Sequence, residues 1–186
     1  MSVLTRWNDL PQAAARAEVS SCCGSTRWGA RLCAGRPYAS EEDLLEAARE
    51  IWQSLEEEDW LEAFRCHPRI GNRIGNRTAE EGRSGGPAAA HATPQSLAWS
   101  SEEQAGAQLA DEDLKQAVAD GNRLYEERFG FIYIVCAAGK TLQEMVEILQ
   151  RRLGSSRATE LREAASQQAQ ITGLRLKKWL SDREGS

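Results

Sequence analysis

The sequence predicts an all-α protein, a single-domain bundle of about seven or eight helices. Apolar residues recur at three- and four-residue spacing along most of the chain, and helix-capping residues precede several of these segments. Only residues 129–137 have the aromatic and branched composition of a β-strand, and a lone strand has no partner to pair with. Because 186 residues suit one compact domain, we expect a single domain over residues 1–186 with a flexible loop at about 68–98.

Two helices are predicted near the N-terminus. Asn8 or Asp9 can cap the first, which extends to residue 19 and tolerates Pro11 in its first turn. The second, over residues 28–34, is short because a glycine and a proline follow it closely.

The next two predicted helices lead to a histidine. Ser40 and Asp43 have the spacing of a capping box. The apolar face of the helix that they open is formed by Leu44, Ala47, Ala48 and Ile51. A further helix over residues 56–66 ends before Pro68, because a proline pushes the residue before it out of the α region. His67 is therefore expected at a helix C-terminus.

The glycine- and proline-rich residues 68–98, which contain a tandem IGNR, are expected to form the loop. Helices resume at about 101–109 and, behind a cap at Asp111, at 112–128. Residues 129–137 are interpreted as a buried, extended or turn-like connector.

The C-terminal region is predicted to form two more helices. Thr141 and Glu144 make another capping box for a helix that ends at residue 153 before a glycine. The last and longest predicted helix covers residues 157–180.

Composition excludes several kinds of partner. A net charge of -5 and a pI near 5.2 leave no broad positive field for nucleic acid or an anionic membrane. The N-terminus lacks the apolar core of a secretory signal, and no apolar run approaches the roughly 18 residues of a membrane span. The five cysteines lack paired CxxC spacing, so buried, reduced thiols are expected. These features predict a cytoplasmic protein.

His67 is the first candidate for chemistry. The chain has only two histidines, His67 and His91, so a three-histidine metal site is impossible, and no GxSxG elbow supports a serine nucleophile. Imidazole has an ordinary pKa of about 6.5, which allows proton transfer in both directions near neutrality. The alternative is that His67 is a surface cap at the helix end.

Ser100, Glu103 and Gln104 form a second candidate. Ser100 and Glu103 have the spacing of a capping box, so a purely structural role in starting a helix is the alternative. The Gln104 amide offers a donor and an acceptor to a urea-like ligand beside the Glu103 carboxylate.

Arg175 is the third candidate. It shares one helical stripe with largely core-like residues, namely Leu161, Ala164, Gln168 and Ile171. A partly buried guanidinium needs an anion, which is either a protein carboxylate or a substrate carboxylate.

The order of several short motifs resembles the 2-oxo-4-hydroxy-4-carboxy-5-ureidoimidazoline (OHCU) decarboxylase family. The central motifs are His67-Pro68-Arg69-Ile70-Gly71, Ser100-x-x-Glu103-Gln104-Ala105-Gly106 and Asn122-x-x-Tyr125-x-x-x-Phe129-Gly130-Phe131. Flanking motifs are Cys23-Gly24-Ser25 with Trp28, Arg36-Pro37-Tyr38, and Arg151-Arg152-Leu153 followed by Glu160 and Arg175. The resemblance extends from about residue 8 to residue 180, and the loop at 68–98 is longer than the family pattern.

The resemblance implies a helical homodimer that converts OHCU, a product of urate oxidation and hydrolysis, into (S)-allantoin. It places the catalytic acid or base on His67, with Glu103 as a second catalytic residue. The substrate contacts that it implies are Pro68, Ser100, Glu103, Gln104, the backbone of Tyr133, Ile134, Val135, Cys136 and Ala137, and Arg175.

No metal and no organic cofactor is expected, since the substrate has a carbon–nitrogen double bond that can accept the electron pair left by loss of CO2. Two other functions remain open on the sequence. One is a helical interaction or regulatory module without catalysis, for which acidic amphipathic helices would suffice. The other is a lyase or isomerase that acts on a related ureido compound.

Overall fold

The computed structural model describes residues 1–70, 92–103 and 112–181. Within these residues there are nine helices and no strand. The helices are α1 Val3–Asn8, α2 Gln12–Val19, α3 Thr26–Ala34, α4 Glu41–Gln53, α5 Glu57–Phe64, α6 Pro94–Glu103, α7 Glu112–Phe129, α8 Leu142–Arg152 and α9 Arg157–Ser181. The predicted all-α class is confirmed, with one more helix at the N-terminus than the sequence indicated.

Two compact units make up the chain. The first comprises residues 1–63 and the residues from 169 onward, and the second comprises residues 64–168. Helix α9 contributes its N-terminal half to the second unit and its C-terminal half to the first. A single domain over residues 1–186 stays a prediction.

The N-terminal helix prediction was wrong at its start. Ser2, not Asn8 or Asp9, is the first N-cap, and its side chain accepts from the Thr5 N–H at 3.2 Å. Asp9 instead follows the end of α1, and Pro11 is the N-cap of α2. Pro11 has ψ of 146°, outside the helical region, so the chain between the two short helices cannot continue as one helix.

Helix α6 begins earlier than predicted. Thr93 Oγ1 accepts from the Ser96 N–H at 3.0 Å, and Pro94 occupies the first helical position, where an N–H has no partner within the helix. Ser100 is therefore the seventh of ten helical residues, and its interpretation as a helix cap was wrong. The Ser-x-x-Glu spacing arises here because positions three apart share a helix face.

Two other predicted helix starts are present in the structure. Ser40 accepts from the Asp43 N–H at 3.1 Å, and Thr141 and Glu144 form the reciprocal capping box that starts α8. The Asp111 cap, His91 and most of the predicted 68–98 loop lie outside the described residues.

Tryptophans lie at the centre of the first unit. Trp7 and Trp28 are fully buried, and their indole N–H groups donate to the carbonyls of Ala15 and Ala48, each at 3.0 Å. Trp179 on α9 packs edge-on against Trp7, with ring centroids 5.6 Å apart. Because buried indoles need an acceptor, these bonds fix α1 against α2 and α3 against α4.

Aromatic rings and one ion pair form the centre of the second unit. The Tyr125 ring lies 4.7 Å from Phe129 and 5.3 Å from Tyr133, measured between centroids. The Tyr125 hydroxyl donates to Glu160, whose carboxylate also pairs with Arg152. These contacts join α7, α8 and α9 around the residues that follow α7.

Candidate active site

His67 lies in the turn that follows α5. The helix ends at Phe64, and the His67 N–H donates to the Phe64 carbonyl at 3.1 Å. Only 8% of His67 is exposed, which argues against its alternative interpretation as a surface cap. Pro68 has a fixed φ, so the backbone on that side of the imidazole is stiff.

Two residues of α7 hold the segment just beyond His67. Both carboxylate oxygens of Glu126 accept from the Arg69 guanidinium, at 2.6 and 2.8 Å. Asn122 is buried and donates its side-chain N–H to the Ile70 carbonyl at 3.0 Å. Since positions four apart lie on one helix face, a single face of α7 fixes the backbone beside the histidine.

The end of α5 also contacts the connector after α7. The rings of Phe64 and Phe131 pack with centroids 5.6 Å apart. Gly130 turns the chain out of α7 with a φ of +80°, a conformation that favours glycine. Residues 131–137 form no helix or strand, and residues 133–137 are all buried. The predicted buried connector is confirmed.

Three side chains engage the backbone of this connector. Arg152 Nη1 donates to the Ile134 carbonyl at 2.8 Å. Gln167 Oε1 accepts from the Cys136 N–H at 2.9 Å, and Lys140 Nζ donates to the Cys136 carbonyl at 2.8 Å. The connector is thus held at two positions that flank Val135.

Val135 differs from Ile134 and Cys136 in its main-chain hydrogen bonds. The residue is 5% exposed, and no described residue donates to or accepts from its N–H or carbonyl. Buried main-chain polar groups almost always have a partner. A polar ligand would satisfy these groups, whereas both main-chain groups of Cys136 are already bonded. The substrate contacts expected at residues 133–137 stay a prediction.

Ser100 and Glu103 share one face of α6. Ser100 is 2% exposed and Glu103 is half-buried. Because neither starts the helix, capping does not account for them, and they offer a hydroxyl and a carboxylate one turn apart. Gln104 lies outside the described residues.

Arg175 lies in the first unit and is 4% exposed. All positions of its predicted stripe are buried, namely Leu161, Ala164, Gln168, Ile171 and Arg175. Burial raises the pKa of the Cys22 thiol far above its ordinary value, and the positive charge of Arg175 partly counteracts this. The guanidinium is therefore close to Cys22 in the interior of that unit.

The buried tyrosines are poor candidates for proton transfer. Burial raises the pKa of both Tyr125 and Tyr133 well above the ordinary phenol value, although the nearby charge of Arg152 acts in the opposite direction. Both phenols are therefore neutral near pH 7. The Tyr133 hydroxyl donates to the Met145 carbonyl at 3.0 Å, which is a structural role.

The second unit contains His67, Pro68, Ser100, Glu103 and the connector residues 133–137, whereas Arg175 belongs to the first unit. The packing of Phe64 on Phe131 brings the histidine turn and the connector together.

Some general features accompany this site. In the part of the chain that the structure describes, no cluster of three His, Cys, Asp or Glu side chains is placed to hold a metal ion. All five cysteines are buried and none forms a disulfide, as expected. No described helix has both the length and the apolar character needed to cross a membrane.

Sequence reasoning assigned no role in the site to four residues that organise it, namely Asn122, Glu126, Arg152 and Gln167. Asn122 and Arg152 appeared only as members of the family motifs. An asparagine inside a long helix, four positions before a glutamate, is a weak signal for a buried polar anchor. The sequence carried no comparable signal for Gln167, because its partner Cys136 lies 31 positions away.

The chain matches the family model for OHCU decarboxylase over residues 8–177. It is 35% identical over 167 residues to the uric acid degradation bifunctional protein TTL of Arabidopsis thaliana, covering 89% of this chain and 47% of that protein. It is 31% identical over 147 residues to a 2-oxo-4-hydroxy-4-carboxy-5-ureidoimidazoline decarboxylase of Amia calva, covering 79% of this chain and 76% of that one.

A solved structure gives the same result. The crystal structure of an OHCU decarboxylase in the presence of (S)-allantoin is 33% identical, with a TM-score of 0.70, and the match covers 89% of this chain and 98% of that chain. The chain therefore belongs to the OHCU decarboxylase family of carboxy-lyases, as the resemblance predicted.

Proposed function

We propose that this chain decarboxylates OHCU to (S)-allantoin in urate degradation. The observation that carries the proposal is the match to 98% of a solved OHCU decarboxylase in the presence of (S)-allantoin. The Arabidopsis relative is named for uric acid degradation, and this chain spans 47% of it. The proposal therefore concerns the decarboxylation step alone.

The chemistry needs little beyond orientation and one proton. The bond between the hydroxyl-bearing ring carbon and the carboxylate breaks, CO2 leaves, and the electron pair forms a double bond to the adjacent ureido-bearing carbon while the electrons of the carbon–nitrogen double bond move to nitrogen, which takes up a proton. The hydroxyl then loses its proton and becomes the ring carbonyl, and a proton adds to one face of the ureido-bearing carbon, which sets the configuration of allantoin. The protein must hold the carboxylate, stabilise charge on the ring and deliver the proton.

We assign the proton transfer to His67. Its imidazole is buried, and the stiff Pro68 and the contacts of α7 with Arg69 and Ile70 limit the motion of the backbone that follows it. It would take the hydroxyl proton of the substrate, deliver the final proton, or do both.

The substrate contacts are assigned from the family resemblance, and their groups are matched to the substrate by chemistry. The Arg175 guanidinium would bind the substrate carboxylate through its fork of donors. Pro68, Ser100 and Gln104 would contact the ureido and ring groups of the substrate. Glu103 would make a catalytic contact with the same groups. The main chain around Val135 would bind the remaining polar groups of the substrate.

No metal or organic cofactor is part of this proposal. The two histidines and the five cysteines, which lack CxxC spacing, do not supply a standard metal ligand set, and the substrate itself accepts the electron pair. Exhaustive chelation should leave activity intact. Loss of activity that a divalent ion restores would contradict this part of the proposal.

We further propose a homodimer of single-domain chains in the cytoplasm, which rests on the family resemblance and the composition. Light scattering at micromolar protein should give twice the 20.6 kDa of one chain. A species of 20.6 kDa alone would contradict the dimer.

The test of function uses freshly prepared product of urate oxidase and the hydrolase that follows it. Added protein should accelerate the loss of this compound and enrich (S)-allantoin over the racemate that forms spontaneously. Unchanged kinetics and racemic product would contradict the proposal and favour an interaction module. Consumption of substrate without release of CO2 would instead favour an isomerase.

A further inference from the structure

The connector at residues 131–137 has no helix or strand to fix its conformation, although its buried backbone is the proposed contact for substrate. Regular elements hold their own main-chain groups through internal hydrogen bonds. An irregular segment depends on side chains from elsewhere for this. The side chains that bond to its main chain therefore control where its unpaired groups point.

Gln167 is placed to fix the main chain of this connector. It lies on α9, and its Oε1 accepts from the Cys136 N–H at 2.9 Å across 31 positions of sequence. Its Nε2 donates to Glu163 Oε1 at 3.0 Å, one turn earlier on the same helix. The second bond orients the amide so that its oxygen, and not its nitrogen, faces the connector.

The bond from Gln167 acts together with two others. Arg152 fixes the Ile134 carbonyl, and Lys140 fixes the Cys136 carbonyl. Val135, between these positions, keeps an N–H and a carbonyl that no described residue uses. Loss of the bond from the Cys136 N–H to Gln167 would leave Cys136 held through its carbonyl alone, while Arg152 would still hold Ile134.

We infer that Gln167 is a positioning residue, which acts through the Cys136 N–H to aim the main-chain groups around Val135 at the substrate. The inference rests on the proposed decarboxylase function. Gln167 itself is not assigned a contact with substrate, and its carboxamide takes no part in proton transfer.

The experiment replaces Gln167 with Leu, which removes the acceptor while keeping a similar volume, and with Ala as a milder second variant. A paired exchange, Gln167→Glu with Glu163→Gln, keeps an acceptor for Cys136 and restores a donor–acceptor pair on α9. The matched control is Gln143→Leu, because the Gln143 side chain donates to Glu147 on α8 with the same four-residue spacing and makes no bond to the connector.

Steady-state kinetics on fresh OHCU should show KM raised about tenfold in Gln167→Leu and Gln167→Ala, with kcat changed about threefold or less. The paired exchange should return KM to within about threefold of the unaltered chain. Hydrogen exchange should show faster exchange of the Cys136 amide in Gln167→Leu, but not in the paired exchange or Gln143→Leu.

Different failures are distinguishable. If the unaltered chain does not accelerate decarboxylation, the proposed function is overturned and the inference with it. If the unaltered chain is active but both single variants keep its KM, the inference alone is overturned. An equal rise of KM in Gln143→Leu, or no recovery in the paired exchange, would likewise overturn the positioning role and leave the proposed function in place.

Discussion

Arg152 and Glu160 form an ion pair with both side chains almost fully buried, at 5% and 1% exposure. Arg152 Nε donates to Glu160 Oε1 at 2.7 Å, and the Tyr125 hydroxyl donates to the same oxygen. Burial lowers the pKa of Arg152, but the hydrogen bond that Arg152 donates to Glu160 helps keep this pKa above its ordinary value. The second oxygen, Glu160 Oε2, is buried without a hydrogen-bond partner among the described residues.

Replacing one partner of this ion pair should lower the stability of the fold more than replacing both partners. Glu160→Leu leaves a buried guanidinium without its carboxylate, which should lower the free energy of unfolding by about 3–5 kcal/mol. The double variant Arg152→Met, Glu160→Leu removes both charges and should be more stable than Glu160→Leu. Urea titrations at pH 7 measure this. A double variant no more stable than Glu160→Leu would contradict it.

The proposed role of His67 predicts a separation of chemistry from binding. His67→Asn should slow single turnover by about two to four orders of magnitude, the usual contribution of a general acid or base, while (S)-allantoin still binds. Arg65→Ala, on an exposed position two residues earlier, is the control and should turn over normally. A normal rate for His67→Asn, after correction for spontaneous decarboxylation, would refute the assignment.

Arg175 should act on binding. Arg175→Ala should weaken substrate binding by about 2–5 kcal/mol, because the substrate carboxylate loses its paired donors inside a buried site. Arg175→Lys keeps the charge without the planar fork, so its effect should be intermediate. The control is Lys177→Ala at an exposed position of the same helix. Rapid-mixing measurements separate the dissociation constant from the rate, and an unchanged constant in Arg175→Ala would refute the role.

Replacing Glu103 should lower the rate of turnover and have little effect on the stability of the fold. Because Ser100 and Glu103 lie late in α6 and do not cap its start, Glu103→Ala should not cause the loss of about 0.5–2 kcal/mol typical of a lost cap. It should lower kcat/KM about 10- to 100-fold, as expected for a hydrogen bond to a charged group. Glu102→Ala, at the exposed neighbouring position, is the comparison. A fall in Tm with unchanged kinetics would favour a structural role.

The capping box of α8 predicts a pH effect on stability. Hydrogen bonds from the Thr141 backbone and side chain hold the pKa of Glu144 below its ordinary 4.5. A carboxyl group whose pKa is lower in the folded state stabilises the fold above its unfolded pKa, and this contribution is lost as the pH falls through the folded pKa. Glu144→Ala should therefore be less stable than the unaltered chain at pH 7, and the gap should narrow below about pH 4.5.

Thermal unfolding between pH 7 and pH 3 measures this gap. Glu147→Ala, one turn further along α8 and outside the capping box, should show no comparable narrowing. A constant gap for Glu144→Ala across this pH range would contradict the prediction.

Short-range sequence patterns predicted most of the features that depend on contacts within a single helix. The N-cap at Ser40, the capping box at Thr141 and the buried stripe that ends at Arg175 appear as the sequence predicts, because capping and helical periodicity join residues three or four positions apart. The α6 start was missed although its signal is local. Thr93-Pro94 is a proper helix start, but the spacing of Ser100 and Glu103 imitates one.

The sequence by itself determined the helical class, the family and the candidate residues, because these depend on residue type and on short-range order along the chain. Only the tertiary structure decided that the His67 turn is held by Asn122 and Glu126, and that Gln167 and Arg152 hold the connector on either side of Val135. Those contacts join residues 18 to 57 positions apart. No periodicity or cap encodes such pairs, since the packing of separate helices brings them together.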